Sequence, residues 1–262
     1  MAFADYRVAL VTGASSGIGA GLVGRFVREG LEVHAVGRRK DRIEALAEKT
    51  GCVPHIADVR DTATMQALVN GLAVDVLVNN AGVNRDGTIT NATAENLEDI
   101  VDVDLAAVLQ VTRIALPGMI ARDRGHIVNI GSIAGLHSFP GHAAYHAVKA
   151  GVHALSQNLR IDLHGKRIRV TEICPGRTAT EIFGKTIGDA DLAQRRFLDG
   201  YDTLQVADIV EAIAFAIGAP WHVNISLMEI WPTYQVSGGL HFYRPGQEPT
   251  ASVPGGGKVV RT

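Results

Sequence analysis

The sequence is poor in cysteine, in aromatic residues and in net charge. Its two cysteines, Cys52 and Cys174, are far apart, which argues against a disulfide framework and favours a reducing compartment. The formal net charge is −2 and the pI is near 6.5, so no basic excess is available to neutralise a nucleic-acid backbone. Hydrophobic residues make up 47% of the chain and aromatic residues 5%. We therefore expect a globular protein with a largely aliphatic core.

Signals for export, membrane insertion and metal binding are also missing. Residues 1–7 lack the basic start and apolar stretch of a signal peptide. The sequence contains no uninterrupted apolar run approaching the roughly twenty residues that cross a bilayer. Its His, Cys, Asp and Glu residues show no recognisable metal-ligand spacing. A cytoplasmic protein is expected, with no metal, membrane or nucleic acid as partner.

Short apolar runs alternate with longer segments of helical periodicity. The runs expected to form strands are Val8–Val11, Val33–Val36, Val53–Ala57, Val74–Val78, His126–Ile130, Ile168–Ile173 and Ile225–Ile230. The segments expected to form helices are Ile18–Glu29, Asp41–Lys49, Thr62–Asn70, Ala94–Ala121, Ala143–Leu163 and Val206–Ile217. Strands that are apolar throughout are typical of parallel sheets covered on both faces.

This order predicts an α/β fold with one Rossmann-type domain at residues 1–244. Its doubly wound parallel sheet would have about seven strands flanked by helices. Ligands of such sheets bind at the carboxyl ends of the strands. Residues 245–262 are rich in proline and glycine and are expected to form an extended tail.

A glycine-rich loop follows the first predicted strand and leads into a helix. It reads Thr12-Gly13-Ala14-Ser15-Ser16-Gly17-Ile18-Gly19. Glycines at this position permit a tight turn and let backbone amides approach a pyrophosphate. The loop lacks the Gly-Lys-Ser/Thr ending of a phosphate-hydrolysing P-loop. A dinucleotide is therefore expected to contact Gly13, Ser15, Ser16, Gly17, Ile18 and Gly19.

The second predicted strand ends where such folds meet the adenosine ribose. An acidic residue there would favour NAD, but the sequence has Arg38 and Arg39, which can bind a 2′-phosphate. NADP(H) is therefore the preferred cofactor, without excluding NAD(H). The alternative is that both arginines are solvated at a helix entrance. Asp58 either accepts a bond from the adenine amine or caps a turn. Val59, the next residue, is a further candidate for cofactor contact.

Three residues near the fifth predicted strand can carry acid–base chemistry. Ser132 follows the strand, and Tyr145 and Lys149 lie on the next helix at a four-residue step that places them on one face. An ammonium beside the phenol favours the ionised form of a group that otherwise titrates near about 10. Ser132 can hydrogen-bond a substrate oxygen as its charge changes. Without the glycine loop, the Tyr–Lys spacing would more often mean an ordinary helical pair.

Together these motifs resemble the short-chain dehydrogenase/reductase family over residues 6–235. Asn79-Asn80-Ala81-Gly82, Pro175-Gly176 and Thr180 add to the match. The resemblance implies that Tyr145 is the proton donor or acceptor and that Ser132 orients the substrate. It further implies that Lys149 binds the nicotinamide ribose and lowers the tyrosine pKa. Tyr145 and Lys149 would thus also contact the cofactor, together with Asn80, Ala81, Gly82, Pro175, Gly176, Thr178 and Thr180.

One position departs from the family pattern. Asp104 stands in Val103-Asp104-Leu105, where the family usually has a catalytic asparagine that holds a water beside the lysine. Asp104 can still accept a bond from that water, so it is included among the catalytic residues. Its negative charge could also weaken the proton relay, and an inert structural role is the alternative.

The C-terminal part is similar to bacterial NADP-dependent 3-hydroxy acid (serine-type) dehydrogenases. The similar residues lie at 222–225, 228–235 and 237–240. The resemblance implies a small 3-hydroxy acid or semialdehyde as the substrate, and a homo-oligomer, either a tetramer or a dimer. The loops above the strand ends supply the candidate substrate residues Arg85, His137, His142 and Arg177. Either arginine can clamp a substrate carboxylate; the alternative is a surface salt bridge or a loop anchor.

Two alternatives to this function remain open. The first keeps the chemistry but takes a bulkier cyclic or aromatic ketone or alcohol, and only the polarity of the pocket would distinguish it. The second is a non-catalytic NADP(H) sensor. A sensor has no need of a proton donor such as Tyr145 beside Lys149, although Asp104 in place of asparagine lends it some support.

Overall fold

The computed structural model describes residues 2–85 and 88–235, so the predicted tail at 245–262 lies outside the described residues. One parallel sheet contains seven strands in the order β3-β2-β1-β4-β5-β6-β7. The strands are β1 (Val8–Thr12), β2 (Glu32–Gly37), β3 (Val53–Ile56), β4 (Val76–Asn79), β5 (Gly125–Ile130), β6 (Ile168–Pro175) and β7 (Leu227–Ile230). The doubly wound fold is confirmed, and the predicted strand ends agree within two residues.

Helices connect the strands. Those in the described part of the chain are α1 (Gly17–Arg28), α2 (Lys40–Thr50), α3 (Thr62–Asn70), α4 (Ala94–Val101), α5 (Ala107–Ala121), α6 (Ala143–Asp162), α7 (Ile182–Ile187), α8 (Ala190–Ala193) and α9 (Val206–Gly218). Helices α1, α2, α3, α6 and α9 each match one predicted helix. Helices α4 and α5 lie within the single helix predicted for Ala94–Ala121. The short helices α7 and α8 lie where the sequence indicated only a loop.

The core has two layers, one on each face of the sheet. On one face, α1, α2 and α9 pack Phe26, Ile43 and Ile213 against the central strands. On the other, α3, α5 and α6 pack Met65, Ile114 and other aliphatic side chains against the same strands. Both faces of the central strands are therefore covered, which explains why their sequences are mostly apolar rather than alternating.

The topology places a ligand crevice at one edge of the sheet. The chain runs outward through β1, β2 and β3, then returns to pair β4 with β1 on the other side. The connections after β1 and β4 therefore diverge, which opens a crevice at the carboxyl ends of these two strands. The glycine-rich loop follows β1, and the Asn80-Ala81-Gly82 segment follows β4.

The helix predicted for Ala94–Ala121 is continuous but not regular. Between α4 and α5, Asp102–Ala106 forms a π-helical turn, in which Val103 and Asp104 are buried. Such a turn inserts one extra residue into the helical repeat and is frequent at functional sites. Asp104 points inward from this turn and contacts the Val83 amide, after β4, and Lys149 on α6.

By length and apolar composition, residues 94–121 could cross a membrane. Half of their most apolar stretch is buried within the protein, and Val111, Ile114 and Met119 belong to the core beneath the sheet. A core helix of a doubly wound domain has the same apolar character. The composition of this helix is therefore accounted for by packing against the sheet.

Candidate active site

A cavity of about 580 Å³ lies at the carboxyl ends of the strands. Its walls include Ser132, Asp104 and the candidate substrate residues Arg85, His142 and Arg177. The predicted cofactor residues that line it are Gly13, Ser15, Ser16, Gly17, Ile18, Arg38, Arg39, Asp58, Val59, Asn80, Ala81, Gly82, Tyr145, Lys149, Pro175, Gly176, Thr178 and Thr180. The structure thus brings residues from across the sequence to one site.

The glycine loop forms a cradle that only small residues allow. Gly13 has φ +65°, and an added Cβ would lie 2.7 Å from the Ala81 Cα atom. The Asn80 side-chain amide donates to the carbonyl oxygens of Thr12 and Gly13 at 2.9 and 3.2 Å. These bonds hold the loop against the end of β4. Gly19 lies behind the cavity wall, where a Cβ would lie 2.5 Å from Asn80 Nδ2. This narrow, backbone-lined floor fits a dinucleotide pyrophosphate.

The two candidate phosphate arginines differ in their contacts. Arg39 donates to the hydroxyls of Ser15 and Ser16 at 2.9 and 2.7 Å and pairs with Glu181 at 2.9 Å. Arg38 is the more exposed of the two, with 58% of its side chain accessible, and lies 3.6 Å from Asp58. Arg39 therefore braces the glycine loop, whereas Arg38 extends a guanidinium over the cavity rim.

Asp58 serves the turn after β3 as well as the cavity wall. Its carboxylate accepts from the Arg60 backbone amide at 3.0 Å and from the Arg60 guanidinium at 2.7 Å. The Arg60 side chain, by its hydrogen bond, holds the pKa of Asp58 below its usual value. Asp58 therefore caps the turn, as the alternative prediction expected. It also lines the cavity, so a contact with adenine stays a prediction.

The Ser132 side chain is oriented by a backbone amide two residues further along the chain. Its Oγ atom accepts from the Ala134 amide at 3.1 Å and caps the short 3-10 turn Ile133–Gly135. This bond leaves the hydroxyl proton of Ser132 available, and the hydroxyl acts to lower the pKa of the Tyr145 phenol, against the larger raising effect of burial. Ser132 can therefore donate to a substrate oxygen beside the phenol.

Tyr145 and Lys149 lie one turn apart on α6, with Lys149 Nζ 5.6 Å from the centre of the phenol ring. The ammonium donates to the Ile130 carbonyl oxygen at 3.0 Å and pairs with Asp104 Oδ1 at 3.1 Å. Both Lys149 and Asp104 are buried. A backbone carbonyl and a carboxylate thus hold the lysine charge near the phenol.

Burial controls the acidity of this cluster. Burial raises the pKa of Tyr145 above its ordinary value, the Lys149 ammonium lowers it, and the Asp104 carboxylate raises it again. The expected effect of Lys149 is present, but burial outweighs it. Burial also raises the pKa of Asp104. The pKa of Lys149 is lowered by burial but raised by Asp104 and Tyr145, with a net rise that keeps the ammonium charged.

The segment after β6 forms the wall beyond the candidate catalytic residues. The Gln235 side-chain oxygen accepts from the Arg177 amide at 2.8 Å and holds this segment against the chain that follows β7. A Cβ at Gly176 would lie 2.7 Å from the same oxygen. Thr180 lies across the crevice from Gly17, 3.5 Å from where a Cβ of that glycine would be. The predicted residues 175–180 therefore close the crevice opposite the glycine loop.

The two candidate carboxylate clamps are already engaged. Arg85 pairs with Asp99 on α4. Arg177 donates to the Phe197 carbonyl oxygen at 3.2 Å and stacks on the rings of Phe197 and Tyr201. Burial lowers the pKa of Arg177 to about 10. Both arginines line the cavity, but neither is held solely for a ligand.

The two candidate histidines have separate positions. His142 lines the cavity, has φ +67°, and places its ring 6.4 Å from that of Phe139. His137 lies outside the cavity lining, where it pairs with Glu229 and packs edge-on against Trp231. The structure therefore brings His142, but not His137, to the site.

Sequence reasoning missed the aromatic wall and a buried acid. Phe183 and Phe197 stack with ring centres 5.0 Å apart and line the cavity, in a segment that carried no periodic signal. Glu172 is buried in β6, where it accepts from Cys174 at 3.2 Å and contacts His153 at 2.7 Å. The two charged residues inside this strand, Arg169 and Glu172, were the signal that could have revealed it.

Comparison with known proteins decides the family. The family model described as short chain dehydrogenase matches residues 7–190. The chain belongs to the short-chain dehydrogenase family. This membership confirms the recognition made from the glycine loop, Ser132, Tyr145 and Lys149.

Relatives named as hydroxy acid or serine dehydrogenases align over 90% of the chain. The NADP-dependent 3-hydroxy acid dehydrogenase YdfG of Salmonella typhi is 38% identical over 247 residues, 90% of this chain and 99% of that protein. The serine 3-dehydrogenase of Rhizobium radiobacter is 34% identical over 244 residues, 90% of this chain and 97% of that protein. A solved closed form of serine dehydrogenase with NADP+ superposes with a TM-score of 0.85 at 36% identity, covering 90% and 99% of the two chains.

Proposed function

We propose that this enzyme interconverts an alcohol and a carbonyl with NADP(H), on a small 3-hydroxy acid or its semialdehyde. The observation that carries the proposal is the joining of Ser132, Tyr145 and Lys149 to a glycine cradle within one cavity. A cavity that only bound a dinucleotide would need the cradle but not the proton donor. The sensor alternative therefore leaves the catalytic cluster without a purpose.

The residues of the chain divide the chemistry among them. NADPH, when bound, supplies the hydride and the two electrons of the reduction. The Tyr145 phenol donates its proton to the carbonyl oxygen, and the Ser132 hydroxyl donates a hydrogen bond to the same oxygen as negative charge develops there. The Lys149 ammonium, held by Ile130 and Asp104, stabilises the phenolate that remains. In the oxidative direction the phenolate takes the alcohol proton.

Preference for NADP(H) is supported by the arginines at the end of β2. Arg38 extends over the rim of the cavity, and Arg39 lies against Ser15 and Ser16 of the glycine loop. Two guanidinium groups beside the adenosine end suit a doubly charged 2′-phosphate. Relatives named for NADP dependence, and a neighbour solved with NADP+, add support from outside the chain.

The substrate is proposed from the names of the relatives and from the polar part of the cavity. A small hydroxy acid is favoured by Arg85, His142 and Arg177, whose side chains can meet a carboxylate. The alternative, a bulkier cyclic or aromatic ketone, is favoured by the apolar wall of Phe139, Phe183 and Phe197. The two substrates would therefore use different walls of the same cavity.

An absorbance assay of NADPH oxidation tests both candidates. Purified enzyme would be supplied with small semialdehydes, 3-keto acids, cyclic ketones and aromatic ketones, each with NADPH and with NADH. We expect turnover with NADPH on the small acids. Turnover confined to the bulky ketones would keep the reaction and replace the substrate, whereas tight NADPH binding without turnover on any carbonyl would favour the sensor.

We further propose that the enzyme works in the cytoplasm as a homo-oligomer, with the tetramer as the expected form. Both cysteines are buried free thiols, which suits a reducing compartment. Val101, Leu109 and Ile161 expose apolar side chains on α4, α5 and α6. A two-fold contact through these helices would cover them. Light scattering of the purified protein measures the assembly.

A further inference from the structure

Asp104 makes two contacts that a neutral asparagine cannot make together. Its Oδ2 atom accepts from the Val83 amide at 2.8 Å, and its Oδ1 atom lies 3.1 Å from Lys149 Nζ. An asparagine that keeps its oxygen on one of these partners must turn its NH₂ group towards the other. A carboxylate presents an oxygen to both partners and carries the charge that pairs with the Lys149 ammonium, although Oδ1 has no hydrogen bond of its own.

The surroundings of Asp104 leave little room for another arrangement. The π-helical turn Asp102–Ala106 directs the side chain inward, and only 1% of it is exposed. A Cβ at residue 82 would lie 2.9 Å from Asp104 Oδ1, and the glycine there makes space for the carboxylate. The ion pair with Lys149 is thus built into the fold and shielded from solvent.

The titratable groups that face the Tyr145 phenol come from several elements. Lys149 lies on the same helix, Asp104 on the π-helical turn, and Cys174 on β6, while the hydroxyl of Ser132 lies at the end of β5. Asp99 on α4 also raises the pKa of Asp104, but its charge is paired with Arg60 and Arg85. Among the groups that face the phenol, Lys149 carries the positive charge. The Asp104 carboxylate, 3.1 Å from it, cancels much of the electric field that this charge exerts on the phenol.

We propose that Asp104 is a positioning residue that holds and neutralises Lys149 and so keeps Tyr145 protonated into the alkaline range. The inference rests on the proposed function and specifies it further: carbonyl reduction proceeds at neutral pH, and alcohol oxidation becomes fast only in alkaline solution. In reduction, the O–H bond of Tyr145 breaks and its proton bonds to the carbonyl oxygen. The carbonyl carbon receives the hydride and its electron pair from NADPH. In oxidation both transfers reverse, so the phenolate must form first.

Asp104→Asn tests the proposal through the ionisation of Tyr145 itself. Loss of the negative charge leaves Lys149 unneutralised, so the phenolate is stabilised and its pKa falls by about one unit. Ultraviolet titration of tyrosinate, with the Tyr145→Phe difference subtracted, measures this shift without cofactor or substrate. It therefore does not depend on whether the proposed reaction has been identified correctly.

The pH profiles of turnover give a second measurement. In Asp104→Asn, the alkaline limb of reduction and the acidic limb of oxidation are both expected to move down by about one pH unit, which raises oxidation at neutral pH roughly tenfold. Asp102→Asn is the matched control, because it removes the same charge from the exposed side of the same π-helical turn. Asp104→Ser provides a second neutral variant if the asparagine variant does not fold.

The outcomes separate this inference from the proposed function. An unchanged tyrosinate titration in both neutral variants, or an equal shift in Asp102→Asn, would overturn the role of Asp104. A shifted titration in an enzyme that reduces no carbonyl would support Asp104 and reject the proposed function. Loss of turnover with no shift in either profile would make Asp104 a purely structural residue and contradict the inference.

Discussion

Tyr145 can be tested by removing a single oxygen atom. Tyr145→Phe keeps the ring that packs above Lys149 but removes the proton that reduction requires. We expect kcat to fall by roughly 10²- to 10⁴-fold, with little change in NADPH binding. Stopped-flow turnover and fluorescence titration measure the two quantities. Tyr234→Phe, at an exposed tyrosine outside the cavity lining, is the control. Wild-type turnover in Tyr145→Phe would remove this residue from proton transfer.

Arg38 and Arg39 are predicted to act differently on the cofactor. Arg38→Ala should raise the KM for NADPH roughly 10- to 100-fold and leave that for NADH nearly unchanged, because it removes a contact with the 2′-phosphate alone. Arg39→Ala should raise both values, since Arg39 also braces Ser15 and Ser16. Initial-rate kinetics with each cofactor measure the difference.

The neighbouring Lys40 supplies a control for these arginine variants. Its side chain is exposed and pairs with Glu44 at 3.8 Å, so Lys40→Ala removes a charge without touching the cavity. Neither KM should change in this variant. Equal effects of Arg38→Ala on NADPH and NADH would exclude Arg38 from phosphate recognition.

At the scale of elements, α1 carries the glycine loop into the domain and packs against α9. An added Cβ at Gly21 would lie 2.9 Å from Val210 and 3.0 Å from Val206 of α9. Valine side chains are stiff in helices, so they cannot turn aside without strain. Gly24, on the same helix, has no atom closer than 3.7 Å to an added Cβ. Substitutions at these two glycines therefore distinguish the effect of side-chain packing on stability from the effect of helix propensity.

Gly21→Ala is predicted to destabilise the protein by about 1–3 kcal/mol through overpacking. Gly24→Ala should instead stabilise it by about 0.5–1 kcal/mol, since alanine loses less backbone freedom in a helix. Urea unfolding measures both values. Similar effects of the two substitutions would contradict the close α1–α9 contact. Weaker NADPH binding in Gly21→Ala alone would tie this contact to the position of the phosphate loop.

At the scale of the whole molecule, buried histidines make stability depend on pH. His126 is fully buried in β5, and burial lowers its pKa well below 6.5. Burial also lowers the pKa of His55, and the neighbouring His34 adds to the effect. In the unfolded chain these histidines bind protons near pH 6.5, whereas in the folded protein they bind them only at lower pH. The stability from these histidines is therefore complete above that pH and is lost as the pH falls below it.

His126→Gln is expected to flatten this dependence. Each such histidine contributes a slope of up to about 1.4 kcal/mol per pH unit below its unfolded pKa. Urea unfolding at about pH 7.5 and about pH 5 gives the slope for each variant. The exposed His164→Gln serves as the control and should leave the slope unchanged. A slope in His126→Gln equal to that of the wild type would show that His126 takes up its proton in the folded state.

The sequence by itself determined the fold and most residues of the candidate catalytic centre. Apolar runs of strand length alternate with helical periodicity, and these local patterns specify a parallel doubly wound sheet with strand ends correct to within two residues. The glycine loop and the Tyr145–Lys149 step were readable for the same reason. Their geometry depends on neighbours a few positions away, and the topology then brings both to the carboxyl edge of the sheet.

Only the tertiary structure decided how charges and aromatic rings are paired around that centre. The π-helical turn that directs Asp104 to Lys149, the contact of His137 with Glu229, and the stacking of Phe183 on Phe197 join residues with no fixed sequence spacing. Burial likewise raises the pKa of Tyr145, against the lowering expected from Lys149 alone. These features depend on long-range packing and on exclusion of water, which local periodicity does not encode.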